Sequence, residues 1–150
     1  MAKVIKDGFG QIELNRCSFL HDGNIESQCK AAEDLENGMI VAIDKVAGTV
    51  SKVAKDDSAD TTKVYGVNYA AERIYNQFTP GRKNFVVKEN EYPRVGILKA
   101  GDIFSTNAYL VNGADAPDEG TVETYGGVKL LVAEITDTAD GQTAVKYQVL

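Results

Sequence analysis

The clearest hydrophobic pattern in the chain is a predicted β-hairpin over residues 37–53. A continuous apolar run extends from Met39 to Ile43, and the Lys45–Gly48 segment reads as a turn. Val50 and Val53 then recur among Ser and Lys, as in a strand with one buried face. The pattern therefore indicates a β domain.

Similar strand-like runs recur between turn signals along the rest of the chain, as in an all-β barrel or sandwich. The predicted strands lie near residues 10–20, 25–30, 39–44, 49–54, 63–69, 84–88, 94–99, 103–112, 128–136 and 142–149. Two short segments have helical composition, Lys30–Glu36 and Ala70–Phe78, and both are short for a helix without packing partners. The prediction is a mainly β, compact barrel-like domain with short helical insertions.

The last strand has the most regular alternation. Val145, Tyr147 and Val149 point to one face, and the lysine and glutamine between them point to the other. We expect this strand to pair with Val128–Ile135 across a turn at residues 139–141.

The first thirty residues change register. Ile12 and Leu14 share one parity and Cys17 and Phe19 the other, which predicts a bulge near Asn15–Arg16. A loop at residues 22–24 would make a hairpin that places Cys17 opposite Cys29. Facing cysteines permit a disulfide, whereas synthesis in the cytoplasm favours free, half-buried thiols.

At 150 residues the chain fits one globular unit. We divide it into an N-terminal arm and hairpin, residues 1–35, and a β-rich core domain, residues 36–150. No apolar run is long enough for a membrane span, and residues 1–8 lack the apolar core of a signal peptide, so we expect synthesis in the cytoplasm.

The net charge is −6, which argues against binding a nucleic-acid backbone. Acidic residues collect in predicted loops around residues 56–60, 115–119 and 137–140. We interpret them as solvated loop tips, with a calcium site as the alternative.

Motifs of catalysis and cofactor binding are missing from the sequence. His21 lies in a predicted turn, and Cys17 and Cys29 do not have zinc-ligand spacing. The Asp7–Gly10 segment lacks the third glycine of a dinucleotide site, and no phosphate-loop sequence occurs. We predict no cofactor and no enzyme, although carboxylates from distant strands would escape such a search.

Three blocks of strand and turn residues are Glu36–Asp44 with Gly48–Val50 and Tyr65–Val67, then Val95–Asn107, then Ala2–Gln11. These blocks resemble the head decoration, or cement, proteins of tailed bacteriophages, and the likeness covers about residues 36–112. The resemblance implies a β-tulip-related fold that docks on the exterior of an assembled capsid. It also implies the major capsid protein as partner, with a homotrimer as one alternative for the oligomeric state and a location in the virion.

Two segments are the candidate contact sites for the capsid or a neighbouring subunit. The N-terminal arm offers Val4, Ile5 and Phe9, and its alternative is a frayed terminus. The 70–84 segment combines cations with apolar side chains, and its alternative is a loop packed on the barrel. Its candidate residues are Arg73, Tyr75, Phe78, Arg82 and Lys83.

Two other classes remain open. A carbohydrate- or receptor-binding module would use exposed aromatic platforms, and the chain has no Trp. The available tyrosines are Tyr65, Tyr69, Tyr75, Tyr92 and Tyr109. The third choice is a small β-barrel enzyme.

Overall fold

The computed structural model describes residues 10, 12–70, 86–109, 117–137 and 143–150. These residues form eleven strands and one short helix. They are β1 (Ile12–Arg16), α1 (Phe19–Asp22), β2 (Ile25–Glu26), β3 (Lys30–Ala31), β4 (Ile40–Asp44), β5 (Thr49–Lys52), β6 (Val64–Asn68), β7 (Val95–Ile97), β8 (Ile103–Thr106), β9 (Val122–Tyr125), β10 (Val128–Asp137) and β11 (Thr143–Val149). Within the described ranges, no helix has the length and apolar character needed to cross a membrane.

The first sheet has five antiparallel strands in the order β1-β8-β11-β10-β9. Its centre is the pairing of β10 with β11, in which Val132 lies opposite Tyr147 and Leu130 opposite Val149. Alternate residues of β11 are buried, as the period-2 pattern requires. The predicted pairing of residues 128–135 with the last strand is confirmed, and the turn expected at 139–141 lies outside the described residues.

The second sheet has six strands in the order β2-β7-β6-β4-β5-β3. It curls, because its edge strand β3 also bonds to the segment that leads into β7: Ala31 N donates to Glu91 O and Asn90 N donates to Ala31 O. Leu35 forms a further antiparallel bridge with Val87. The prediction of a mainly β, barrel-like domain is confirmed.

Two apolar clusters hold the described residues together. The larger one lies between the two sheets and includes Phe104, Tyr147 and Leu130. The smaller one lies on the other face of the curled sheet and includes Leu35, Met39 and Val41. Strand β4 contributes to both clusters, since Ile40 and Ala42 face one and Val41 and Ile43 the other, which explains its unbroken apolar run.

Local patterns predicted several elements correctly. The hairpin is confirmed, since β4 and β5 are antiparallel with Ile43 opposite Val50. The bulge is also confirmed, because the pairing of β1 with β8 shifts register between Leu14 and Arg16.

The hairpin predicted within the first 35 residues is wrong. Residues 19–22 form α1 instead of continuing the strand, and β2 pairs with β7. Phe19 turns toward Gly96, where any Cβ would lie 2.5 Å from its ring. Cys17 and Cys29 consequently lie in different clusters, and both are free, buried thiols.

The helix predicted for Lys30–Glu36 is also wrong. Lys30 N donates to Gly48 O and Ala32 N donates to Val50 O, so this segment pairs in parallel with β5. Tertiary hydrogen bonds override its helical composition. Strand β9 was not predicted, and β8 ends at Thr106, before the expected end of its strand. Most of the other predicted helix, residues 71–78, lies outside the described residues.

Candidate functional site

A short turn, Leu35–Gly38, connects the smaller apolar cluster to β4, and we call it the junction turn. Leu35 and Val87 exchange two backbone hydrogen bonds of 2.8 Å. Gly38 N donates to Asn68 O, also at 2.8 Å, and Gly38 has a φ of 84°, which favours glycine. The turn is therefore fixed to two other parts of the chain.

The N-terminal segment joins the described structure at this turn. Gly10 N donates to Glu36 Oε1 at 2.6 Å. A Cβ on Gly10 would lie 2.4 Å from Asn37 O and 2.8 Å from the Ala108 Cβ, so the backbone approaches too closely for any side chain. Residues 1–9 are thus covalently attached beside Glu36 and Asn37.

The 71–85 segment is attached at the same place. Asn37 Nδ2 donates to Ala70 O at 3.1 Å, and Asn68 Nδ2 donates to Glu36 O at 3.0 Å. Both asparagines are buried, so their hydrogen bonds matter for stability. Ala70 directly precedes this segment and Val87 follows closely after it, so described residues on both sides of the segment contact the junction turn.

All eight predicted contact residues lie outside the described residues. They are Val4, Ile5, Phe9, Arg73, Tyr75, Phe78, Arg82 and Lys83. The structure instead shows where their two segments are attached: Gly10 and Ala70 both contact the junction turn. Apart from the turn-forming pair Asn37–Gly38, no pattern in the sequence indicates this convergence directly.

An aromatic stack lies close to the junction turn. The rings of Phe19 and Tyr69 are 5.1 Å apart, and the Arg94 guanidinium lies 5.6 Å from the Tyr69 ring centroid. Burial raises the pKa of Tyr69, and the nearby Arg94 charge opposes that shift. Tyr69 and the buried Tyr109 therefore serve the core, and among the described tyrosines Tyr92 is the most exposed.

A buried carboxylate is the most unusual polar group between the two sheets. Glu123 Oε1 accepts hydrogen bonds from Tyr147 OH at 2.8 Å and Tyr125 OH at 3.3 Å. Its Oε2 lies 3.3 Å from Lys55 Nζ. Burial, with the adjacent Glu123 charge, raises the pKa of both tyrosines, so their hydroxyls stay protonated and act as donors.

A recess of about 550 Å³ lies beside Cys17 and Asp102. The Asp102 carboxylate accepts hydrogen bonds from Ser18 N, Ser18 Oγ and Lys99 N. The Cys17 thiol donates to Ile103 O, and its pKa is raised to about 12 by burial and by the Asp102 charge. Because its pKa is raised, the Cys17 thiol stays protonated and is a poor nucleophile. Asp102 has a structural role, since its hydrogen bonds connect the segment at Ser18 to the segment at Lys99.

Comparison with known proteins adds no relative. No family model, curated protein or solved structure matches the chain. Among the residues that the structure describes, no group of three or more His, Cys, Asp or Glu side chains is arranged to hold a metal ion. The class that the structure defines is a mainly β domain of two packed sheets with a junction turn at which two segments are attached.

Proposed function

We propose that the protein is a structural virion protein that binds the outer surface of an assembled phage capsid and stabilises it. Its partner in this proposal is the major capsid protein, and its place is the capsid exterior after synthesis in the host cytoplasm. The resemblance of residues 36–112 to head decoration proteins motivates the proposal.

One observation carries it furthest. The two segments with the candidate contact residues are attached within hydrogen-bonding distance of the same turn, through Gly10 to Glu36 and through Ala70 to Asn37. A nine-residue segment reaches at most about 30 Å when fully extended. Because they are attached at one point, both segments can contact the same partner surface. Segments attached at opposite ends of the domain would reach one surface less easily.

Capsid stabilisation needs no reactive group. A protein that binds the assembled shell but not the free subunits shifts the equilibrium toward the shell by linkage. Many symmetric sites on one shell allow modest individual contacts to suffice. A homotrimer would add contacts between copies, and native mass measurement of the free protein decides between monomer and trimer.

The test is co-sedimentation with purified shells that lack the protein. We expect the full chain to sediment with the shells at micromolar concentration and to raise the temperature at which they open. Deletion of residues 2–9 should weaken attachment while circular dichroism shows an unchanged β fold, because Gly10 and its contact with Glu36 remain.

The control is Val46→Ser, which changes an almost fully exposed apolar side chain at the tip of the β4–β5 hairpin. It should bind like the unchanged protein. Failure of the full chain to sediment with the shells contradicts the proposal. If the protein without residues 2–9 binds as well as the full chain, the arm is a free terminus and the capsid contact lies elsewhere.

A further inference from the structure

A groove lies along the curled sheet, where β4, β5 and β6 meet the 53–63 loop. Its volume is about 520 Å³, within the range of small-molecule sites. Strand residues form one side of the groove, and loop residues 57–61 form the other. The groove does not include the junction turn or the residues described around Asp102.

Small side chains create the groove. Ala42 lies directly opposite Ser51 on one neighbouring strand and opposite Tyr65 on the other, so these three residues form a row across the sheet. Farther along the same face, Ile40 and Val67 pack against the other sheet. At the row, the side chains of Ala42 and Ser51 are only a methyl and a hydroxymethyl group. Together with Tyr65 they fill less volume than such bulky side chains would, and the space that remains is the groove.

The loop side of the groove is held in place from several directions. Asp60 N donates to Tyr65 OH at 3.0 Å, and Asp56 N donates to Thr124 O at 2.7 Å. Lys55 is paired with the buried Glu123. The loop is therefore fixed to both sheets, and a groove that exists before binding loses little entropy on binding.

The polar lining is balanced in charge. The lining contains two lysines, Lys52 and Lys63, and two aspartates, Asp57 and Asp60, so their formal charges cancel. Both carboxylates already accept hydrogen bonds within the loop, from Ala54 N and from Thr62.

Three hydroxyl groups of the lining are available to a ligand. Among the described residues, Ser51, Ser58 and Thr61 have no side-chain hydrogen bond. Each hydroxyl is both a donor and an acceptor.

We propose that this groove binds a neutral saccharide. A ligand rich in hydroxyl groups matches the free hydroxyls, and its lack of charge matches a lining whose charges cancel. The Tyr65 ring supplies the apolar surface, and it is fixed from behind, since a Cβ on Gly127 would lie 2.7 Å from it. This activity is separate from capsid binding and does not depend on it.

The experiment is an NMR titration of the isotope-labelled full chain in the absence of shells. The probes are methyl β-glucoside, N-acetylglucosamine and rhamnose, with inorganic phosphate as a charged comparison. We expect at least one sugar to shift the amide signals of Ser51, Thr61 and Lys63 at millimolar concentration, whereas phosphate leaves them unchanged.

Two variants locate the binding. Ala59→Trp fills the groove from its exposed rim and should weaken the sugar at least about tenfold, whereas Ala47→Trp, at the exposed hairpin tip, should leave it unchanged. Thr61→Val removes one hydroxyl without adding bulk and should weaken binding severalfold. This variant tests the proposal independently of whether Ala59→Trp folds. The proposal is overturned by no shift with any of the three sugars, by equal binding in Thr61→Val, or by shifts with phosphate alone.

Discussion

Glu123 is a single carboxylate that faces the apolar space between two sheets and is almost fully buried. Such a group is stable there only because two tyrosine hydroxyls and one ammonium group surround it. Lys55 is partly exposed, so its ammonium group would be hydrated by water if the Glu123 carboxylate were removed. The hydroxyls of the buried tyrosines cannot reach water in this way. The cost of removing the carboxylate therefore falls mainly on the hydroxyls.

We predict that Glu123→Ala lowers the free energy of unfolding by about 3 kcal/mol, since it leaves a cavity and removes the acceptor of two buried tyrosine hydroxyls. Glu123→Gln keeps an acceptor for Tyr147 and should cost less, about 1 kcal/mol. Urea unfolding followed by circular dichroism measures both. The matched control is Glu134→Ala, whose exposed carboxylate pairs with Lys146, and its change should stay within about 0.5 kcal/mol. Equal effects at the two glutamates would contradict the assigned role.

The ion pair of Glu26 with Lys45 predicts a pH dependence of stability. The hydrogen bond from Lys45, and next the one from Gln28 N, lower the pKa of Glu26. Because the folded protein favours the charged form, this contribution is complete above the unfolded pKa, about 4.3, and is lost as the pH falls through the folded pKa.

Glu26→Gln should therefore be less stable than the unchanged protein at pH 7, by less than about 1 kcal/mol. The difference should shrink below about pH 4.3, where the carboxylate becomes protonated. Lys45 has a raised pKa from the same contact, so the difference should also shrink at strongly alkaline pH. Thermal unfolding across pH measures this, and a difference that stays constant with pH would exclude the ion pair as its cause.

At the scale of elements, the sequence was informative where partners are close along the chain. Strands β4 and β5 are joined by one short turn, so the alternation of each is enough to predict their pairing. The bulge in β1 was visible because Leu14 and Cys17 have opposite parity within the strand predicted over residues 10–20. Both features depend on side chains only a few residues apart.

Elements set by distant partners were not predictable. Phe19 leaves the strand pattern because Gly96 provides room for its ring. The Lys30–Glu36 segment joins β5 in parallel because backbone groups of Gly48 and Val50 accept its hydrogen bonds. The junction turn has the same origin, since Gly10, Glu36 and Ala108 meet only in the folded chain.

We predict that the contact between Gly10 and Glu36 fixes the start of β1. Gly10→Ala would place its Cβ against Asn37 O, so the backbone must move away and the hydrogen bond to Glu36 is lost. Amide exchange at Ile12–Leu14 should accelerate, with a loss of about 1–2 kcal/mol in unfolding free energy.

Glu36→Ala should accelerate the same amides because it removes the acceptor. Glu89→Ala, which changes an exposed carboxylate, serves as the control and should leave them unchanged. Unchanged exchange in both Gly10→Ala and Glu36→Ala would mean that β1 is held by β8 alone.

At the scale of the whole molecule, the net charge of −6 contrasts with the cations of the 70–84 segment. Exposed cations bind weakly on their own, because water and salt screen them. Aromatic side chains that become buried against a partner contribute more, and interface centres are enriched in aromatic residues and Arg. The proposed capsid contact should therefore depend on Tyr75 and Phe78 more than on Arg82 and Lys83.

We expect Tyr75→Ala with Phe78→Ala to weaken co-sedimentation with shells more than Arg82→Glu with Lys83→Glu. The charge reversal should act mainly on the association rate and its salt dependence, because rim charges steer encounter. Circular dichroism must show an unchanged fold in both double variants. Loss of binding confined to the charge reversal would make the contact electrostatic. Full binding in both variants would mean that the 70–84 segment packs on this domain. The capsid contact would then be made by the N-terminal arm, which is attached at the same junction turn, through Gly10 to Glu36.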